Sequence, residues 1–461
     1  MQSKFLYSLG VSGGIGTISQ YSRNQTTGDL TEVGTPITYA SADAADQIIC
    51  ESKGKFVYVF AKTTLSSGGN YSRLLQYAIT QTTGELLPIG TGVVRVDACG
   101  GSGICIDGKG RWLYVTCRYS STGNPPQRIC VFTIDAITGA LVVVGLPLSV
   151  SGSLFQQVTG TPLGNYLYMT HITSLNEIST WQIDQVTGIP TEISTRLVLG
   201  GNSKSLCHDG TGTFLYIATY TGTSGVTEYA INQTTGLLSY LGRKALATLS
   251  PYTICYDGIG KSIFATASSS QGIAKTLIGV TGLLTEITPE TVFNHGLAPI
   301  TSSGDNLFLY ALAPDTNAIY GFSILLGELT PLAASFATAT NPVALCSSAS
   351  GLALVIDGVV AGQSGATGTL GGKQLLGNVV DLANVAGIVS RKRGLSGYLI
   401  NASTVTGRVP TVLFSEGVVE AGSTVIGTLT VTAPAHTYYP YELVIDRTEI
   451  DEELIIESIE W

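Results

Sequence analysis

Charged side chains are scarce in this sequence, and basic ones are the scarcer kind. Only 12% of its 461 residues are Asp, Glu, Lys or Arg, and 23 basic residues face 32 acidic ones, for a net charge of -9. The Lys and Arg residues form no stripe along the chain. Nucleic-acid binding needs clustered cations against the phosphates. The composition therefore argues against a nucleic-acid partner.

Long apolar runs are also missing. No stretch approaches the roughly 20 apolar residues of a membrane-spanning helix, so we expect no membrane insertion. Phe5 to Leu9 is too short for the apolar core of a signal peptide. The sequence predicts a chain that folds in the cytoplasm.

Glycine, by contrast, is abundant and periodic, with 56 residues. Residues 103–145 read as four short strands separated by the tight turns Asp107–Gly110 and Thr138-Gly139. The predicted strands are Ile104–Ile106, Trp112–Thr116, Ile129–Ile134 and Leu141–Val144. This unit is one predicted propeller blade.

The glycine of the second turn recurs seven times, at spacings that fall from 56 to 45 residues. The seven are Gly28, Gly84, Gly139, Gly188, Gly236, Gly282 and Gly327. Such a period of short strands predicts a seven-bladed β-propeller. Phe5–Ser8, aligned with Leu113–Thr116, is a second strand without a first. Asn341–Cys346 is expected to supply that first strand and close the ring.

The predicted fold class is therefore all-β, in two parts. Residues 1–358 form the propeller, 359–372 a small-residue linker, and 373–461 a small C-terminal β domain, sandwich-like, for attachment or oligomerisation. In the last part we assign Tyr438, Tyr439, Tyr441 and Trp461 to assembly.

Five cysteines, one in each of five blades, align on the first strand: Cys50, Cys105, Cys207, Cys255 and Cys346. Equivalent positions in neighbouring blades should lie ~10 Å or more apart, too far for disulfides. We expect buried thiols there, with a bridge among Cys99, Cys117 and Cys130 as an open alternative. No Cys-x-x-Cys pair or Cys/His metal spacing occurs, so no metal and no cofactor is predicted.

The segment Asp107–Thr116, followed by Ile129–Ile134 and the Thr138-Gly139 hairpin, resembles the YVTN and lactonase-type seven-bladed propellers. That group includes propeller-type 6-phosphogluconolactonase and muconate-lactonizing enzymes, and the resemblance covers residues 1–358. It implies histidines on the loops entering the first strands. Here those entries, among them Ser203-Lys204-Ser205 and Pro251-Tyr252-Thr253, hold none. The missing histidines favour a member of this group that lacks catalytic residues.

Recognition is expected on the face that carries the loops between strands two and three and between blades. Ala61–Arg73 and Cys117–Gln127 are the longest such loops. We predict ligand contacts at Tyr71, Arg73, Arg118 and Tyr119, since Tyr and Arg are common anchors, and at His171 at a loop mouth. Plain solvated loops are the alternative, and His208 is expected to be structural.

Two function classes follow from these features. The first is a non-catalytic structural or adhesion protein of a bacteriophage virion, decorating it or binding a receptor from its tail. Its partners would be other structural proteins, further copies of itself or a host-surface glycan, and it would reach the virion after folding in host cytoplasm. The alternative is a cytoplasmic lactonase-like hydrolase acting on sugar lactones.

Overall fold

The computed structural model describes most of residues 4–348 and short strands within residues 366–431. The described ranges are 4–40, 47–64, 70–97, 103–117, 127–150, 154–172, 176–222, 224–246, 250–257, 262–266, 272–291, 299–325 and 328–348. The chain divides into two compact units, Met1–Gly351 and Leu352–Trp461. Every regular element in the described ranges is a strand. None of the described residues forms a helix that could span a membrane.

Seven antiparallel sheets make up the first unit, one per blade. Blade 1 holds β1 (Phe5–Ser12), β2 (Ile15–Arg23), β3 (Leu30–Glu32) and β4 (Ile37–Ala40); blade 2 holds β5 (Gln47–Cys50), β6 (Phe56–Thr64), β7 (Asn70–Ile79) and β8 (Leu86–Asp97); blade 3 holds β9 (Gly103–Ile106), β10 (Trp112–Cys117), β11 (Gln127–Ile134), β12 (Leu141–Val143) and β13 (Leu148–Val150). Blade 4 holds β14 (Leu154–Gly160), β15 (Tyr166–Ile172), β16 (Glu177–Ile183), β17 (Pro190–Glu192) and β18 (Leu197–Val198).

The remaining blades have four strands each. Blade 5 holds β19 (Ser203–His208), β20 (Phe214–Thr219), β21 (Gly225–Ile231) and β22 (Leu238–Lys244); blade 6 holds β23 (Thr253–Asp257), β24 (Ser262–Thr266), β25 (Ile273–Ile278) and β26 (Leu284–Thr291); blade 7 holds β27 (Ile300–Ser302), β28 (Phe308–Ala313), β29 (Ala318–Leu325) and β30 (Glu328–Ala337). β31 (Pro342–Ser347) then joins blade 1.

Ring closure is confirmed, with a one-residue correction of the alignment. β31 pairs with β1, so the first blade combines both ends of the propeller sequence. First strands of successive blades contact one another in an unbroken cycle from β31 through β5, β9, β14, β19, β23 and β27 back to β31. The Tyr7 hydroxyl makes the contact that Tyr114 makes in blade 3, so Phe5 matches Trp112 instead of Leu113.

A tyrosine on the second strand links each of six blades to the next. The Tyr114 side chain is fully buried, and its hydroxyl donates to the Gly188 carbonyl at 2.8 Å. Burial raises the pKa of this phenol, so it remains a donor. The other five such contacts run from Tyr7, Tyr58, Tyr168, Tyr216 and Tyr310 to Gly84, Gly139, Gly236, Gly282 and Gly28. The repeated turn glycine thus also binds the neighbouring blade.

The second unit pairs its short strands in parallel, whereas the sequence suggested a sandwich, which is built from antiparallel sheets. The strands are β32 (Ala366–Thr367), β33 (Val379–Val380), β34 (Val385–Ala386), β35 (Leu395–Ser396), β36 (Leu399–Ile400), β37 (Val405–Thr406), β38 (Val409–Val412), β39 (Phe414–Glu416), β40 (Val419–Glu420), β41 (Val425–Ile426) and β42 (Leu429–Val431). Partners such as β37 and β41 start 20 residues apart, at Val405 and Val425. This is the pairing of stacked coils, as in a β-solenoid.

Candidate functional site

The two faces of the ring differ in what they carry. Tight turns between strands one and two, such as residues 107–110, lie on one face, together with the glycine turns between strands three and four. The starts of the first strands and the ends of the second strands lie on the opposite face, which we call the loop face.

A cavity of about 390 Å³ opens among the first strands and first turns of blades 2 to 5. Its wall combines apolar side chains such as Ile104 and Val158 with polar groups. The Asp107 carboxylate, also in the lining, accepts a hydrogen bond from the backbone N–H of Trp112 at 3.0 Å and so holds its own turn. The His208 Nδ1 lies 2.8 Å from the Asp209 carbonyl, and burial lowers its pKa. Both polar groups hold local backbone at this end of the ring.

The loop face carries a cationic and aromatic cluster at the junction of blades 5 and 6, formed by Lys204, Tyr220 and Tyr252. The Lys204 Nζ lies 5.4 Å from the ring centroid of Tyr220 and 5.3 Å from that of Tyr252. The two rings meet edge to face at 5.7 Å. All three side chains are half-buried. The Lys204 ammonium group thus lies close to two aromatic rings that are only partly buried, and such rings attract a cation.

A β-bulge places Lys204 in this cluster. In the pairing of β19 with β20, Ser203 lies opposite Thr219 and Ser205 opposite Ala218, which leaves Lys204 as the extra residue. A bulge turns its side chain away from the regular alternation of the strand. Tyr252 occupies the corresponding place just before β23, and its N–H donates to the Thr266 carbonyl at 2.7 Å.

The loop after β20 is tied to the segment that enters blade 5. The Tyr220 N–H donates to the Asn202 carbonyl at 3.0 Å, and the Asn202 N–H donates to the Thr221 hydroxyl at 3.2 Å. A Cβ on Gly201 would come within 2.1 Å of the Thr221 carbonyl oxygen, so only glycine permits this approach. These bonds fix where the Tyr220 backbone leaves the sheet.

His171 lies in the core of blade 4, with 1% of its surface exposed. Its Nε2 is 2.6 Å from the Ser179 hydroxyl, which also accepts a bond from the Trp181 indole N–H at 2.7 Å. Burial lowers the pKa of His171 to about 3, with the positive charge of Arg196 acting in the same direction. The imidazole is neutral at pH 7. Ligand contact at His171 stays a prediction.

The other predicted recognition residues fall in two groups. Residues 61–73 were expected to be a loop, but β6 and β7 continue through most of them, and Arg73 pairs with Ala61 in the ladder. Tyr71 is therefore also a strand residue. The Arg73 guanidinium donates to the Ala40 carbonyl of blade 1. Arg118 and Tyr119 lie outside the described residues, as do Tyr438, Tyr439, Tyr441 and Trp461.

The predicted alignment of Cys50 and its predicted distance from the other first-strand cysteines need correction. Glu51, the acidic residue of the first turn, directly follows Cys50, whereas one residue separates Cys105 from the corresponding Asp107. Cys50 therefore lies one position later on its strand than the other four aligned cysteines do on theirs. The Sγ atoms of Cys50 and Cys346, in neighbouring blades, are 3.1 Å apart instead of ~10 Å. Cys117 is disulfide-bonded, which agrees with the open alternative of a bridge among Cys99, Cys117 and Cys130, and the Sγ of the free Cys130 lies 3.8 Å from the Cys117 sulfur.

In the part of the chain that the structure describes, no three His, Cys, Asp or Glu side chains are grouped as metal ligands would be.

Comparison with known proteins supports the fold. No family model matches the sequence, and neither does any curated protein. Among solved structures, a presumed 6-phosphogluconolactonase from Bacteroides uniformis is similar, with a TM-score of 0.61 at 18% identity, over 75% of this chain and 100% of that one. The periplasmic gluconolactonase of Pseudomonas aeruginosa also has a TM-score of 0.61, at 15% identity, over 75% and 99%. The chain has a seven-bladed propeller resembling 6-phosphogluconolactonase-like proteins.

These likenesses concern the fold alone, since all are below 20% identity. The neighbours named above carry lactonase names, and nothing in the comparisons supports a virion context. Lys204 and Tyr252 lie at the strand entries where the resemblance implied histidines. This position was the only indication in the sequence that they could belong to a functional site. The sequence alone did not assign them a role.

Proposed function

We propose that this protein binds a sugar lactone at the Lys204, Tyr220 and Tyr252 cluster and hydrolyses it. The carrying observation is the ammonium group held 5.3 and 5.4 Å from two partly exposed tyrosine rings, at the strand entries of a lactonase-like ring. Aromatic rings suit the apolar face of a sugar ring. The proposal includes the cytoplasmic location that the sequence analysis gave for the lactonase-like hydrolase.

Hydrolysis needs stabilisation of the negative charge that develops on the lactone carbonyl oxygen. The oxygen of a water molecule attacks the carbonyl carbon, and the bond from that carbon to the ring oxygen then breaks. One proton of that water passes to the ring oxygen, which becomes a hydroxyl, and the other is released to solvent as the acyl carbon becomes a carboxylate. The Lys204 ammonium would stabilise both the oxyanion and the carboxylate, because a fixed positive charge at such an oxygen lowers the barrier.

Replacing the cluster lysine tests this role. We expect Lys204→Met to lower kcat/KM for δ-gluconolactone about 100-fold, the typical loss when one oxyanion-stabilising group is removed. Tyr252→Ala should act mainly on KM, because it removes a binding surface. The rate of acid release, corrected for spontaneous hydrolysis, measures both.

Lys53→Met is the matched control, since Lys53 is exposed in a first turn on the opposite face. It should leave kcat/KM unchanged. A wild-type rate equal to the spontaneous rate, or equal losses in Lys204→Met and Lys53→Met, would contradict the proposal.

A second candidate is the non-catalytic structural protein that attaches to an assembly, such as a virion, through its C-terminal unit. The in-register parallel pairs that start about 20 residues apart favour it, because stacked coils leave strand edges at their ends. Its test is the native mass of the full chain and of a chain ending at Gly358. Assembly of the full chain alone supports it, and two monomers refute it.

A further inference from the structure

The interface between blades 1 and 2 holds two thiols in contact. The Cys50 and Cys346 Sγ atoms are 3.1 Å apart, and both cysteines are free. Cys346 lies on the closing strand β31, and Cys50 ends β5 of the next blade. Both belong to the cluster of apolar side chains that joins these two blades, Cys50 at its edge.

The register of the two strands explains why the thiols meet. Cys346 pairs with Tyr7 in β1, as Cys105 pairs with Tyr114 in blade 3. Cys50 instead pairs with Val57, one step further along its strand. Side chains alternate between the faces of a strand. Cys346 therefore points from blade 1 toward blade 2, and Cys50 points back toward blade 1.

We propose that Cys50 and Cys346 are a redox-sensitive staple that locks the closure of the ring. Ring closure otherwise depends on the noncovalent pairing of β31 with β1. A Cys50–Cys346 bond would join residues 296 apart in sequence and tie the closing strand to blade 2. This inference does not depend on the lactonase proposal.

The oxidant that the proposal names is a small disulfide such as oxidised glutathione. One cysteine thiolate attacks it, forming a mixed disulfide and releasing one reduced thiol. The second cysteine attacks the sulfur of the first cysteine in this mixed disulfide, forms the Cys50–Cys346 bond and releases the other reduced thiol. Two cysteines lose two electrons and two protons, and the small disulfide takes them up.

Access and environment fit this chemistry. Cys50 is half-buried and lines the cavity among the first strands of blades 2 to 5, which gives a small molecule a route to it. Burial raises the pKa of Cys50, so exchange should be slow at neutral pH and faster at higher pH. Cys117, in the same propeller, is already disulfide-bonded.

The test uses the full chain, reduced and then incubated with oxidised glutathione at about pH 8.5. We expect a Cys50–Cys346 cross-linked peptide in a non-reducing digest and a rise in Tm of ~5 °C or more, because a long closed loop restricts the unfolded chain. Cys346→Ser should lack the part of this rise that comes from the Cys50–Cys346 bond. Cys105→Ser, at the matching register position in blade 3, should keep it.

The Cys117 disulfide is common to all three chains and cancels in the comparison. The peptide map needs no variant, so it remains decisive if a substitution impairs folding. Recovery of Cys50 and Cys346 as free thiols, or of glutathione on Cys50 alone, would overturn the proposal.

Discussion

Single side chains in this ring take their chemistry from their surroundings. Histidine normally titrates near neutral pH. His171 is enclosed in blade 4, with Phe155 at 5.1 Å between ring centroids and the Ser179 hydroxyl at 2.6 Å. Burial lowers its pKa to about 3. A residue that resembled a loop-mouth ligand in the sequence is a neutral group of the core.

This burial predicts how stability depends on pH. The folded pKa of about 3 lies below the unfolded value near 6.5. Below pH 6.5 His171 binds a proton in the unfolded chain but not in the folded chain, so the free energy of unfolding falls as the pH drops from 6.5 toward 3. The slope approaches about 1.4 kcal/mol per pH unit.

Denaturant unfolding of the wild type and His171→Asn between pH 4 and pH 8 measures this contribution. The difference in their free energies of unfolding should change with pH by ~2 kcal/mol between pH 6.5 and pH 5. A difference that stays constant over this range would contradict the assignment of His171 as a buried neutral base.

Blades are joined at the level of strands by a repeated contact. In blade 3, Trp112 packs over Gly188 of blade 4 while the Tyr114 hydroxyl donates to the Gly188 carbonyl. Gly188 has a φ of 75°, and a Cβ there would lie 2.6 Å from the Trp112 ring. Glycine is required both for the turn and for this packing.

Blade 6 departs from this arrangement. Ser262 and Phe264 occupy the places of Trp112 and Tyr114, as their pairing with Asp257 and Cys255 shows. The Lys275 Nζ instead forms an ion pair across the next interface with the Glu328 carboxylate of blade 7, at 2.7 Å. Because Glu328 is largely exposed, this pair should stabilise the interface less than a buried hydroxyl contact.

Removing one hydroxyl tests the value of the interblade contact. We expect Tyr114→Phe to lower the free energy of unfolding by about 1–3 kcal/mol, because the buried Gly188 carbonyl loses its side-chain donor. Urea unfolding is the measurement. Tyr240→Phe is the control, since Tyr240 is 63% exposed. Equal losses in both variants would show that the contact between the Tyr114 hydroxyl and Gly188 adds no stability of its own.

At the scale of the whole molecule, the first unit is a ring that its two ends complete together. Each blade has two sheet faces that neighbouring blades must cover. Because β31 pairs with β1, the first strand of every blade contacts the first strands of the blades on both sides. Tyr310 of blade 7 donates to the Gly28 carbonyl of blade 1 at 2.7 Å, so the interface that closes the ring has the same tyrosine contact as five of the others. The closing blade is therefore a full member of the ring.

Some signals in the sequence were present but too short to interpret alone. Gly368, Gly387, Gly407 and Gly427 recur every 19 or 20 residues, and each follows one of the paired strands β32, β34, β37 and β41. Strands of two residues show no alternation of polar and apolar side chains. The parallel pairing of the second unit was accordingly missed.

The sequence by itself determined the number of blades, their strand order and the closure of the ring, because glycine turns and buried strand residues are local requirements that repeat with each blade. Tertiary structure alone decided which side chains from different blades meet. The Cys50 and Cys346 contact depends on a one-residue change of register, and the Lys204, Tyr220 and Tyr252 cluster on a bulge. Both arise from the approach of segments distant in sequence, which no local pattern records.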